Sequence, residues 1–243
     1  MRAPKRGVTA LVAAFSLFVG ACGGGNSDQR PGHGHPGRVY VDLSADHGNL
    51  DGFKDKQGRR YRVYGNMANT DLVVKDGRMR RGNPQAAGPI GAPQLVIPHR
   101  KPLSRASVSY VFTEGTSAQQ NVVLGACETS LAIGSIQFAV FPDHWVLFYT
   151  LRNKPIGTGT AIVPLNTGKF SKPLEMDGKT VYTTTMAVDL EKSEVTVNMP
   201  GGTRTFADPH ISRLWGNRAV VQIRHPTEAD GDAQITQIWT ETS

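Results

Sequence analysis

The run SVSYVFTEGTSAQQNVVLGACETSLAIGSIQFAVFPDHWVLFYTL, residues 107–151, decides the fold class. It divides into four apolar blocks, Ser107 to Thr113, Gln120 to Cys127, Ile136 to Phe141 and Trp145 to Leu151, all rich in Val, Ile, Phe, Tyr or Trp. Between them stand turn residues such as Glu114-Gly115-Thr116-Ser117 and Pro142-Asp143-His144. Short β-branched and aromatic blocks broken in this way read as consecutive strands. In Trp145-Val146-Leu147-Phe148-Tyr149 both strand parities are apolar, so both faces of that strand are expected to be covered.

Outward from this run the same pattern continues. Thr180 to Asp189 and Glu194 to Met199 predict a hairpin turning near Glu191-Lys192-Ser193. Leu72 to Lys75 and Arg78 to Arg81 flank Asp76-Gly77, a pair suited to the positive φ angles of a type I′ turn. Ala219 to Arg224 and Gln234 to Glu241 predict two further strands. The proline-rich segment from Gln85 to Pro102 reads as a long surface loop with a short edge strand at Gln94 to Ile97. Asp208 to Leu214, with Pro209, predicts one helical turn, and no other segment beyond the N-terminus keeps a 3.6-residue period. The expectation is an all-β fold, a two-sheet antiparallel sandwich or jelly roll.

The N-terminus carries a different message. Arg2, Lys5 and Arg6 precede an apolar stretch from Val8 to Gly20, the arrangement of a secretory signal. The stretch is shorter than the ~20 residues a membrane-spanning helix needs. Its end, Val19-Gly20-Ala21-Cys22, resembles a bacterial lipobox. The resemblance implies that Cys22 receives a diacylglyceryl thioether and becomes the mature N-terminus; an ordinary cleaved signal with Cys22 incidental is the alternative. Residues 1–21 are thus expected to be a lipoprotein signal peptide. Residues 22–37 would be a flexible Gly/Pro/Ser-rich tether, and residues 38–243 the sandwich. The expected location is the extracytoplasmic face of a cell membrane, held by lipid on Cys22.

Removing the signal takes Lys+Arg from 27 to 24 against 20 Asp+Glu, which lowers the net charge from +7 to +4. The basic clusters, Arg59-Arg60 with Arg62 and Arg78 with Arg80-Arg81, carry no nucleic-acid reading motif, so nucleic acid is not an expected partner. Anionic envelope polymers or lipid headgroups fit such charge better, and a merely solvated surface fits it as well.

The order Gly52-Phe53-Lys54-Asp55 to Gly58-Arg59-Arg60-Tyr61-Arg62-Val63, then Leu72-Val73-Val74-Lys75-Asp76-Gly77-Arg78-Met79, resembles the opening of concanavalin A-like (laminin-G-like) jelly rolls. Trp145 to Tyr149 is similar to a central strand of that fold. Tyr182 to Met199, Pro200-Gly201-Gly202 and Asp208-Pro209 are similar to its second half. The resemblance implies two facing antiparallel sheets, one concave, of a kind that often holds glycans. Hydrolases on this fold typically carry Glu-x-Asp-x-(x)-Glu on one strand, and this chain has no such pattern.

Sugar rings stack their C–H faces on Trp and Tyr while polar groups fix orientation. The ligand-binding candidates are therefore Trp215, in the turn Leu214-Trp215-Gly216-Asn217, then Trp145 and Tyr149, with His144 at a strand end. Core packing competes for Trp145 and Tyr149, and Trp239, set between Gln237 and Glu241, is expected to face the core. His144, His210 and His225 could meet at one rim. Glu228, Asp230 and Asp232 cluster as weak calcium candidates, with a polar turn as the simpler reading. His33 and His35 lack the further ligands a metal site requires. Asp189 and Glu191 could project as an acid pair, although a solvated hairpin tip explains them equally. Cys127 reads as a buried small hydrophobe, with a nucleophile as the alternative.

No cofactor is expected. The leading expectation is a membrane-anchored surface lipoprotein whose non-catalytic, lectin-like sandwich binds an envelope glycan or a protein partner. The alternatives are a glycoside hydrolase acting on envelope polysaccharide and a purely structural or adhesin-like envelope protein.

Overall fold

A computed structural model describes residues 38–43, 47–55, 58–64, 72–82, 93–115, 120–128, 134–152, 160–224 and 232–243. Cys22, the tether with His33 and His35, and the loop residues His225, Glu228 and Asp230 lie outside the described residues.

The strands in chain order are β1 (Arg38–Tyr40), β2 (His47–Asn49), β3 (Arg62–Tyr64), β4 (Leu72–Lys75), β5 (Arg78–Arg81), β6 (Gln94–Pro98), β7 (Leu103–Phe112) and β8 (Asn121–Cys127). They continue with β9 (Gly134–Val140), β10 (His144–Arg152), β11 (Thr160–Lys169), β12 (Tyr182–Asp189), β13 (Glu194–Met199) and β14 (Gly202–Ala207). One helical turn, α1 (Pro209–Leu214), precedes β15 (Arg218–Arg224) and β16 (Ala233–Thr242). The four blocks of residues 107–151 thus become β7 to β10, and the hairpin around Glu191-Lys192-Ser193 joins β12 to β13.

All pairings between these strands are antiparallel, and they form two sheets. One has nine strands, ordered β14-β13-β12-β7-β16-β5-β4-β2, with β1 lying against β16. The other has seven, ordered β11-β10-β9-β8-β15-β6-β3. The fold is the antiparallel two-sheet jelly roll that the strand pattern predicts. Strand β6 corrects one expectation: it is not an edge, because β3 pairs along its outer side.

Side-chain alternation fills the space between the sheets. Val122, Leu124 and Ala126 of β8, Ile136 and Phe138 of β9, and Trp145, Leu147 and Tyr149 of β10 meet Val108, Tyr110, Met186, Val195 and Ile238 from the other sheet in one core. Burying each large side chain contributes roughly 1.5–3 kcal/mol, which is why this stretch dominates the fold. The outer parity of β10 is covered too: Phe148 is buried with Val123 and Ala139, as the apolar parities of the strand predict.

Local chemistry sets the connections. Asp76 and Gly77 take φ of 54° and 70°, and their hairpin pairs Lys75 with Arg78, the primed turn that Asp-Gly predicts. Asp208 caps α1, accepting from the backbone N–H of His210 at 2.8 Å, and Pro209 opens the turn. Gly168 of β11 lies so close to the Trp145 indole that an added Cβ would sit 2.5 Å from the ring.

A bulge in β16 decides where one tryptophan goes. Ile235 opposes Tyr110 and Gln237 opposes the adjacent Ser109, so Thr236 is the extra residue. Beyond it Ile238 and Thr240 are buried, while Gln237, Trp239 and Glu241 project outward together. Trp239 therefore does not face the core as expected. Residues two apart share a strand face, and its neighbours Gln237 and Glu241 mark that face as the outer one. The Arg38 guanidinium lies over its ring at 4.2 Å to the centroid.

Candidate functional site

The aromatic candidates read from the sequence are structural. Trp215 is only 3 % exposed, and its indole N–H donates to the Leu103 carbonyl at 2.8 Å. The turn that carries it folds inward because an indole buries a large apolar area once its one donor is satisfied. Trp145 is 2 % exposed, stacked on Phe138 at 5.6 Å, so it offers no platform either. Tyr149 faces the core, and its ring stacks on His210 at 4.5 Å.

His144 and His210 do not converge, and His225 lies outside the described residues. His210 is held by Asp208, Nδ1 to Oδ1 2.8 Å, whereas His144 is held by Asp143 at 2.7 Å and stacked on Phe141 at 4.1 Å. The Asp143 carboxyl is held below its ordinary range, chiefly by its bond to His144. His144 and the Tyr149 that stacks on His210 stand five residues apart on β10, roughly 16 Å along the strand. His144 remains a partly exposed rim residue.

Asp232 is engaged elsewhere than in a calcium loop. Its Oδ2 lies 2.9 Å from Nε of Arg81, whose side chain is 4 % exposed, and its backbone N–H donates to the Thr113 hydroxyl. A carboxylate committed to a buried guanidinium is a poor cation ligand, and no cluster of three metal-ligating side chains occurs among the described residues. Asp189 is bound by Lys192 at the hairpin tip, which holds its carboxyl low, the wrong direction for a general acid. Cys127 is buried in a cluster with Val220 and Val96, and burial pushes its thiol up to about 11, the opposite of an activated nucleophile.

What the sheets bring together instead is a shoulder on the outer face of the seven-stranded sheet. In the ladder β3-β6-β15, Val63, Leu95 and Val221 point into the core, so the alternate residues point out. Tyr64 stands opposite Gln94, and Gln94 opposite Gln222. The three lie in one line across three strands, about 10 Å long at ordinary strand spacing. Tyr64 is 56 % exposed, whereas Gln94 and Gln222 are half-buried at its side. Arg62 flanks Tyr64 on the same face of β3, and Arg218 stands opposite Pro98 at the far end of β6. Val96 and Val220, clustered with Cys127, form the apolar floor beside the two arginines.

The segment before β3 holds this edge in place. Asp55 accepts from the backbone N–H of Arg59 at 2.8 Å and from its Nε at 2.6 Å, and the Tyr61 hydroxyl donates to it at 3.3 Å. Tyr61 is fully buried, and burial raises its phenol well above the ordinary tyrosine range. Asp51 accepts from the Val63 backbone N–H at 3.0 Å. Two carboxylates thereby fix the course of a three-residue strand that would otherwise fray, and with it the placement of Tyr64.

Further along the same face the sheet centre is closed. Ser135, Gln137 and Thr150 are buried, linked by bonds of 2.7 Å from Gln137 to Ser135 and from Ser135 to Thr150. None of the seven strands contains an Asp or Glu. Two-carboxyl glycoside hydrolysis would need its acids from outside these strands.

The sequence reading passed over Tyr64, although a signal was present. In Arg60-Tyr61-Arg62-Val63-Tyr64 the two arginines share parity with Tyr64, which marks its ring as outward.

No family model matches the chain, and no curated protein matches it. Solved structures do. A CBM2 module of the evolved Dit protein of Lactobacillus casei BL23 phage J-1 superposes with a TM-score of 0.52 at 11% identity, over 84% of this chain and 96% of that one. An endo-acting O-glycanase from the human gut microbiota gives 0.54 at 9% identity, over 84% and 98%. The β-glucanase of Bacillus licheniformis gives 0.50 at 10% identity, over 85% and 99%. At such identities the likeness establishes a shared jelly-roll fold.

Proposed function

We propose that this protein is an exported lipoprotein, tethered through Cys22, whose sandwich binds a polysaccharide on the Tyr64 shoulder. The observation that carries the binding reading is the exposed Tyr64 ring in register with the Gln94 and Gln222 side chains. An apolar ring face takes the C–H side of a sugar, and side-chain amides both donate to and accept from its hydroxyls. The fold is one shared with a carbohydrate-binding module and with two glycan-cleaving enzymes, which supports a glycan as the ligand class. The charged start, apolar core and Cys22 of the N-terminus support export and anchoring.

The experiment is retention of the mature protein on a panel of immobilised and soluble polysaccharides, with reducing-sugar release followed on every hit. Binding that Tyr64→Ala weakens, without sugar release, is the expected result. Release of reducing ends would replace the binding reading with hydrolysis, and silence across the panel would remove it.

A further inference from the structure

We propose that the glycan taken by the Tyr64 shoulder is acidic, a polysaccharide carrying carboxylates along its chain. This rests on the glycan-binding reading above and names its substrate class. Arg62 lies two residues from Tyr64 on one face of β3, and Arg218 lies four residues from Gln222 on the same face of β15. Both guanidinium groups therefore lie to one side of the aromatic and amide line, Arg62 one outward-facing row from it and Arg218 two. Neither makes an ion pair or a side-chain hydrogen bond with a described residue.

Other arginines of the fold do. Arg38 pairs with Glu241, Arg59 with Asp55, Arg80 with Asp76 and Arg81 with Asp232. Half of the arginines in the basic clusters seen in the sequence, Arg59, Arg80 and Arg81, are thus matched by local carboxylates, while Arg62 is not. Its strands supply no acid, the Asp51 beside it is bonded to the Val63 N–H, and Glu128, next to the Cys127 that faces Arg218, is exposed and makes no ion pair with a described residue.

A guanidinium presents a planar fork that matches a carboxylate bidentately and loses less hydration than an ammonium when it does so. Two such forks on strands that themselves carry no carboxylate set a positive potential along the shoulder. A neutral glycan would meet the ring and leave both forks to water. A polymer of uronic acid residues would satisfy all of them together.

The test uses the full mature protein and three acidic polysaccharides (polygalacturonate, hyaluronan and glucuronan), each beside its carboxyl-reduced form. These pairs differ only in the charged group. The expected result is retention of at least one acidic form, about tenfold tighter than its reduced partner, as a charge-assisted bond allows. That retention should fall with added salt, and R62Q and R218Q should each weaken it by a larger factor than they weaken retention of the reduced form. Tyr64→Ala should weaken both forms. Thermal melts within a few degrees of wild type show that the variants are folded.

Equal retention of each pair, retention confined to neutral polymers, or unchanged affinity in both arginine variants would overturn the inference and leave glycan binding standing. Retention of no polymer, acidic, reduced or neutral, would overturn both.

Discussion

At the scale of single residues, Tyr64 and Trp215 make opposite use of an aromatic ring. Truncating an exposed ring removes almost nothing from the core, so Tyr64→Ala should change stability by less than about 0.5 kcal/mol while costing glycan affinity about tenfold. Trp215→Phe should show the reverse: unchanged glycan retention and a loss of roughly 1–3 kcal/mol, because the Leu103 carbonyl is left unsatisfied in a buried site. Chemical denaturation beside a binding isotherm separates the two. His99 supplies a pH dependence. Burial and the nearby Arg59 cation lower its pKa from 6.5 to about 4, consistent with a neutral ring bonded to the Thr240 hydroxyl at 2.9 Å. The folded state then binds fewer protons than the unfolded one. This stability is complete above pH 6.5 and is lost as pH falls through about 4. His99→Gln should flatten the melting temperature over that window, and an unchanged slope would show that other groups carry the acid sensitivity. Residue size misled the sequence reading, since the three tryptophans drew attention first. Two of them proved to be core, and the most exposed of the described aromatic rings was a tyrosine one strand position beyond the quoted motif. Exposure is a tertiary property, and only parity with Arg60 and Arg62 hinted at it.

At the scale of elements, strands with a strong period were legible and those without were not. Asp-Gly fixed the β4–β5 turn by backbone conformation alone, and Asp208-Pro209 fixed the start of α1 by capping. Strands β1 and β2 have three residues each and are held by β16 and β4, so nothing local distinguishes them from loop. β11 contains Pro164 and a register shift against β10 at Leu147/Phe148, and these hide a ten-residue strand behind turn-like composition. Both features suit an outer strand, because a proline lacks the N–H that a second neighbouring strand would pair with. The Arg81–Asp232 pair joins β5 to the start of β16 across the chain, and it gives a further prediction. Asp232→Ala should destabilise by roughly 3–5 kcal/mol, since it strands a buried guanidinium. Gly168→Ala should cost about 1–3 kcal/mol, the order expected for overpacking against Trp145. A Gly168→Ala protein as stable as wild type would mean that β11 shifts freely.

At the scale of the whole molecule, two sheets of unlike chemistry share one core. The nine-stranded sheet carries hydroxyl pairs on its outer parity, a buried Ser107 bonding Thr185 at 2.8 Å and an exposed Thr196–Thr205 pair at 2.9 Å, and its Arg38 is matched by Glu241. The seven-stranded sheet turns outward the Tyr64 shoulder and its two arginines. If Cys22 carries the lipid, Cys22→Ala should move the protein from the membrane fraction to the soluble one without changing its glycan affinity; persistence in the membrane fraction would count against the anchor. The place of β16 has a consequence for biogenesis. Residues 233–242 fill a central position, bonded to β7 along one side and to β5 and β1 along the other. Until the ribosome has made them, the nascent chain has a gap through the middle of its larger sheet and no partner for its first strand. A chain that cannot close early stays threadable, which is the condition that passage through a narrow translocation channel would impose on the export proposed above.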